Sequence, residues 1–460
     1  MKSKSSLVAL TVNLIIVLCL VCSGFAHAGV LLQESNFTYE GAFRVPNRGL
    51  GGDSTAKHTL ARGGAALAYN STNDSLIITS REAYAVEISI PALVIDDSVS
   101  NLNIASLLQV PGNVANDQWA NLGLDGSVTS SNGALPGGFL VYNNRLIGTS
   151  YYYYDGTSSG HRSHFTASLN WATEGSQFSG MHRVGAHPTS LDNANGGFVG
   201  GYMADIPSDW QTSLGYPALT GKGSLSVIGR TSLGPAAAAF DPDTLGVIDP
   251  VPATWLVVYP IEHATLGDYG GTSLYYNRGT SLTGLVFPDG SDSLVFFGRH
   301  GLGMTGEGDS CYGSGTSDIS LHGTPNGEGG VYCYDPSSSS KGDHAYPYIY
   351  QAWFYDANEL LDVKNGLIEP WDVLPYARWE IPLPFDTSHS HLGGVAYDPA
   401  TQRIFIVQSD SDKLVSDYEP YPIIHVFSLN LAATPQAEPV VEPTPQPAPT
   451  PEPPPVLRLQ

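Results

Sequence analysis

Cysteine and positive charge are both scarce in this chain, and each scarcity excludes something. Only four cysteines occur in 460 residues, two of them (Cys19 and Cys22) inside an apolar N-terminal run, and there is no CxxC pair, so a compact zinc finger is excluded. Lysine and arginine total 20 against 43 aspartates and glutamates, a formal charge of -23. Such a surface repels nucleic acid and anionic membranes, which removes both from the expected partners. It also weighs against an anionic polymer, unless basic residues gather in one place. Long amphipathic helical patterns are almost absent beyond a turn or two near Asn358 to Val363, which excludes a helical bundle. No DxDxDG calcium loop is present.

What is present begins with a leader. Lys2 and Lys4 precede an apolar run from Leu7 to Val21 and then Ala26-His27-Ala28, the pattern of a secretory signal peptide over residues 1–28. Leu20 and Val21 put no small residue before Cys22, which disfavours a lipoprotein, and the run is short for a membrane span. The expected localisation is therefore secreted, extracellular or periplasmic. Residues 434–460 are rich in Pro, Glu, Gln and Thr without apolar periodicity, and read as an extended disordered tail. Between them, residues 29–433 show no internal shift of composition and are expected to form one catalytic domain, acting as a monomer.

Within that domain the recurring phrase is strand, polar turn, strand. Ala66 to Tyr69 pairs with Ser75 to Thr79, Gly138 to Tyr142 with Arg145 to Tyr154, Thr283 to Phe287 with Ser293 to Gly298, and Gly394 to Tyr397 with Arg403 to Gln408. Recurrent hairpins over this length predict an all-β fold, a β-propeller with uneven loop insertions, and seven blades would use the length comfortably.

Two regions could carry chemistry. The two cysteines of the mature chain, Cys311 and Cys333, alternate with His300, His322 and His344, with ten residues between each successive pair. A secreted chain with an even cysteine count suggests a disulfide. Two thiolates and two imidazoles also supply the tetrahedral set that Zn2+ prefers: His300, Cys311, Cys333 and His344, with His322 as the substitute for His344. The second region holds His161, His164, His182, His187, Tyr216 and Arg230 within seventy residues. Strand alternation puts His161 and His164 on opposite faces. Imidazole, phenol and guanidinium together suit β-elimination from a uronic acid. An arginine neutralises the carboxylate and so acidifies the C5 proton, a neutral His or Tyr removes that proton, and a Tyr or protonated His donates to the leaving oxygen. A cleft of Arg230, His182 and Arg183 would give an acidic protein a local attraction for an anionic polysaccharide.

On the signal peptide, the repeated hairpins, the His, Tyr, Arg order and the His/Cys loop, the chain resembles the ulvan lyases, secreted β-propeller polysaccharide lyases. The resemblance implies an ulvan-like substrate, catalytic roles for His164 with His182 or His187, for Tyr216 and for Arg230, a structural zinc at the His/Cys loop, and calcium. Other classes fit less well. A glycoside hydrolase needs a carboxylate pair that no motif singles out among Asp205, Asp209, Asp241, Glu262 and Asp268. A carbohydrate-binding propeller would use aromatics such as Tyr151 to Tyr154 and Trp210. The GTSSG letters around Ser158 are followed by a strand where a nucleophile elbow needs a helix.

Overall fold

The computed structural model describes residues 29–432 apart from 48, 53–54, 83, 128–132, 157, 187–195, 224–231, 269 and 386–390. The signal peptide, the tail, His187 and Arg230 thus lie outside the described residues. Among those described, the chain builds five four-stranded antiparallel sheets. Sheet 1 comprises Leu67–Asn70, Ser75–Thr79, Ala85–Ser89 and Leu107–Gly112. Sheet 2 comprises Ala134–Tyr142, Arg145–Tyr152, His164–Ser168 and Ser179–His182. Tyr202–Asp205, Ala218–Gly221, Ala237–Phe240 and Ala253–Val257 make sheet 3, and Ser281–Val286, Ser293–Gly301, Tyr348–Asp356 and Ala377–Glu380 make sheet 4. Sheet 5 takes Leu392–Asp398, Arg403–Asp412 and Tyr421–Leu429 from the end of the chain and its outermost strand, Phe37–Arg44, from the beginning.

Each sheet is hydrophobic on both faces because its strands alternate between two neighbours. Leu76 and Ile78 pack toward sheet 5 with Phe405 and Val407, while Ile77 between them packs toward sheet 2 with Leu146 and Phe165. Leu294 and Phe296 likewise face Leu219 and Leu256 of sheet 3, and Val295 and Phe297 face Ile404 and Ile406 of sheet 5. Leu140 and Ile147 of sheet 2 meet Met203 and Ala238 of sheet 3. Five apolar layers therefore separate five sheets in a ring. The expected all-β, propeller-like arrangement is what the sheets form, with five sheets among the described residues where seven were expected.

The first strand of each sheet lies innermost, packed against the first strands of two others around an axis. Backbone approaches backbone there, and glycine permits it. A Cβ on Gly137 would stand 1.8 Å from the Gly200 carbonyl oxygen, and one on Gly393 would stand 2.1 Å from that of Gly64. The ring closes where Phe37–Arg44 pairs antiparallel with Tyr421–Leu429, Phe37 opposite Leu429 and Ala42 opposite His425. His425 is buried beneath this seam, bonded to Tyr39 Oη at 3.0 Å and Gln408 Oε1 at 3.1 Å, and burial lowers its pKa to about 3. A neutral imidazole is the form that this seam holds.

One insertion breaks the meander. Between the second and third strands of sheet 4, Cys311–Thr316, Val331–Tyr334 and Lys341–His344 form a small three-stranded sheet. It stands beside the N-terminal end of the axis.

Candidate active site

The N-terminal ends of the inner strands open into a cleft. One part of it, about 240 Å3, is lined by Ala65, Gly137, Gly201, Thr283 and Gly393, one residue from the start of each inner strand or just before it. The adjoining part, about 560 Å3, lies between the end of the second strand of sheet 2, sheet 4 and the insertion. Tyr151, Tyr153 and Tyr154 come from the first of these, Arg278, Arg299 and Tyr348 from sheet 4 and its approach, and Asp335, Asp343 and His344 from the insertion. Within the tyrosine run, Tyr152 turns the other way and is buried. That is the alternation of a strand.

Arg299 is set by its stacking. Its guanidinium lies 4.0 Å from the centre of the Tyr348 ring, and burial lowers its pKa from the usual arginine value while leaving it a cation. The Tyr348 hydroxyl donates to Asp335 Oδ2 at 2.9 Å and accepts from the Ala345 backbone N–H. Burial raises its pKa to about 12, so it is a neutral donor at physiological pH. The same Asp335 oxygen lies 2.9 Å from His344 Nδ1, and His344 Nε2 lies 3.1 Å from the Ser340 carbonyl oxygen. Two acceptors require two N–H donors, so His344 is an imidazolium. Its pKa is raised even though burial opposes this, because Asp335 holds the proton. Burial would raise Asp335, but bonds from His344, Ser337 and Tyr348 outweigh it and keep the carboxylate ionised. Arg278 pairs with Asp343 at 3.0 Å, and Asn277 fixes the turn before it by donating to the Gly301 and Gly308 carbonyls. His391 stands exposed at the lip. Beneath Tyr151, buried Lys222 lies 4.5 Å from the ring centre, its pKa lowered by burial to about 8.

The residues expected from sequence are distributed differently. His164 is fully buried between sheets 2 and 3, bonded to Ser163 Oγ at 2.8 Å and Thr220 Oγ1 at 2.9 Å, and burial lowers its pKa to about 3. His182 is its cross-strand partner, half-buried, with Nε2 3.2 Å from Ser179 Oγ and a pKa lowered by burial. Tyr216 follows the helix Ser208–Leu214, whose Ser208 and Gln211 line the opposite end of the axis, and packs its ring under the Lys364 ammonium. The structure therefore does not bring Tyr216 to the cleft that holds Arg299 and Tyr348.

The four residues expected to hold zinc are engaged with other partners. Cys311 and Cys333 form a disulfide with their Cα atoms 5.7 Å apart, so neither sulfur is a thiolate. His300 is buried, with Nδ1 3.0 Å from Thr280 Oγ1, and His344 spends both nitrogens on Asp335 and Ser340. These four side chains do not compose a tetrahedral site. Among the described residues, no group of three or more His, Cys, Asp or Glu is arranged to hold a metal ion. No helix among them is long and apolar enough to cross a membrane.

Sequence reading missed Arg278, Arg299 and Tyr348. The available signal was their placement: Arg299 ends a hairpin strand, Arg278 precedes the next inner strand, and Tyr348 begins the strand after the insertion.

No family model matches the chain, and no curated relative does. Among solved structures, a glycosyl hydrolase from Bacteroides ovatus is similar at a TM-score of 0.40 and 12% identity, over 87% of this chain and 97% of that one. The PQQ-bound aldose sugar dehydrogenase from Streptomyces coelicolor aligns at 0.36 and 11%, over 86% and 98%. A luciferin-regenerating enzyme aligns at 0.34 and 8%, over 81% and 93%.

Proposed function

We propose that the protein is a secreted polysaccharide lyase that cleaves a uronic-acid-containing, ulvan-like polymer by β-elimination in the cleft at the N-terminal ends of its inner strands. The observation that carries this reading is a stacked Arg299 and an Arg278 facing one tyrosine-lined cleft in a chain of charge -23. Arg299 binds the uronate carboxylate and, by neutralising it, stabilises the carbanion that forms when C5 loses its proton. His391, exposed at the lip, takes that proton as the general base. Tyr348, whose hydroxyl proton rests on Asp335, turns that proton to the departing glycosidic oxygen once the polymer is bound, and Asp335 with His344 holds the phenol oxygen in place. Tyr153 and Tyr154 supply ring faces for neighbouring sugars. No metal enters any step.

The carboxylates of the larger part of the cleft do not supply a hydrolase's acid, whereas Asp410 in the smaller part, raised by burial, is the group that a hydrolase reading would use. A hydrolase needs an acid with a raised pKa, whereas Asp335 is held ionised and Asp343 is paired with Arg278. The test is incubation with uronic-acid polysaccharides and detection of the unsaturated product. Reducing ends without that product would replace the lyase reading with a hydrolase, and binding without cleavage would replace it with a binding module.

A further inference from the structure

The inner strands end around a second cavity of about 350 Å3, at the opposite mouth of the axis. Leu67, Phe139, Met203, Leu285 and Val395, one from each inner strand, give it an apolar wall. Two carboxylates stand in it: Asp205, the last residue of the sheet 3 inner strand, and Asp289, in the turn after the sheet 4 inner strand. No lysine or arginine is among the described residues that line it. Among the described residues the Asp205 carboxylate makes no hydrogen bond or ion pair. The Asp205 side chain is exposed to the cavity, yet the protein crowded around that cavity desolvates the carboxylate, and this, with the charge of Asp289, raises its pKa to about 7. Asp289 is raised as well, by burial and by Asp209 on the neighbouring helix. The other titratable groups that line this mouth are Tyr69 and Tyr397, and Tyr142 is close enough to feel the Asp205 charge; burial is the largest cause that pushes each of the three up.

Two mutually repelling carboxylates over an apolar wall are compensated best by one kind of occupant. A bare divalent ion needs a cage of oxygens, and no such group exists among the described residues. An anionic sugar is repelled, and a neutral one would leave most hydroxyls facing hydrocarbon. We propose that this cavity binds a small organic amine, its ammonium set between Asp205 and Asp289 and its apolar body along the wall of the inner strands. The size suits a compact ligand. The two mouths of one axis would then hold ligands of opposite charge, and this proposal stands whether or not the other mouth is a lyase site.

Calorimetric titration of the full chain with benzylamine, and with benzyl alcohol as its uncharged counterpart, tests this at pH 8. Saturable binding of the amine is expected, with the alcohol at least about tenfold weaker, the discrimination that about 1.4 kcal/mol of charge pairing supplies. Asp205→Asn should weaken the amine at least about tenfold and melt no lower than the parent, since it removes a poorly solvated charge. At pH 6 the amine should bind more weakly and release protons, because Asp205 must ionise. Equal binding of amine and alcohol, unchanged amine binding in the Asp205→Asn, Asp289→Asn double variant, preferential binding of calcium chloride, or no saturable binding would each overturn the proposal. The wild-type comparison of amine and alcohol decides even if a variant fails to fold.

Discussion

His344 keeps its charge inside the protein because Asp335 is beside it, and this makes the cleft wall sensitive to pH. The His344 pKa is raised, so its contribution to stability is complete below the ordinary imidazole value, about 6.5, and is lost as pH rises through the folded value. Asp335 is held low, so its contribution is complete above the ordinary value, about 3.9, and is lost as pH falls through the folded one. Thermal melts should therefore show the insertion most stable between about pH 4 and 6.5, with a decline on the alkaline side that His344→Gln flattens. Asp335→Asn should cost about 3 kcal/mol, since it leaves a buried cation unpaired. Chemical denaturation measures that. The chemistry of the site was legible in the sequence only as residue types: imidazole, phenol and guanidinium. Their positions were not, because Tyr153 and Tyr348 line one cleft from sheets 2 and 4, and no local pattern encodes that convergence. Histidine clustering pointed instead to His164, whose density of neighbours reflects burial between sheets.

The elements are held by two devices, glycine at the axis and a disulfide at the rim. Paired glycines open four inner strands, at Gly63-Gly64, Gly137-Gly138, Gly200-Gly201 and Gly393-Gly394, and Gly284 serves the fifth. Gly393→Val should destabilise by about 3 kcal/mol or more, because the added carbons meet backbone rather than a movable side chain. Its denaturant midpoint is the readout. The hairpins of sheets 1, 2, 4 and 5 were legible as alternating runs about polar turns. Sheet 3 was not, because the helix Ser208–Leu214 separates its first two strands and its third is the alanine-rich Ala237–Phe240. Length alone then suggested seven blades, and the described residues show five four-stranded sheets. The Cys311–Cys333 disulfide closes a loop whose ends are 22 residues apart, worth about 3 kcal/mol in chain entropy, and ties together two strands of the insertion, one of which pairs with the cleft-lining strand Lys341–His344. The purified mature protein should therefore contain no free thiol and no zinc. A Cys311→Ser, Cys333→Ser variant should keep its β-sheet circular dichroism, become sensitive to proteolysis between residues 302 and 347, and lose turnover. Zinc bound in stoichiometric amount, with two thiols released by chelation, would restore the metal reading.

At the scale of the molecule, charge is distributed against its own average. The chain is strongly acidic, yet at one mouth of the axis Arg278, Arg299, Lys341 and His344 outnumber the Asp335 and Asp343 that pair with two of them, while Asp205 and Asp289 meet at the other mouth. Local potential, focused by a cleft with low-dielectric walls, governs what enters. This is how an acidic protein can take an anionic polymer at one end. The sequence gives the net charge directly but not its partition between two mouths, which depends on which strand ends share a face. Turnover by the arginine cleft should accordingly fall steeply with added salt, as screening weakens the attraction between Arg299 and a uronate. The central claim is tested most directly by the ultraviolet absorbance of unsaturated uronate ends released from ulvan, compared between the wild-type protein and Arg299→Ala. The wild type should generate the chromophore and Arg299→Ala should lose about a hundredfold or more in rate with its melting curve intact. Equal rates in the two proteins, or cleavage by the wild type without the chromophore, would contradict the account.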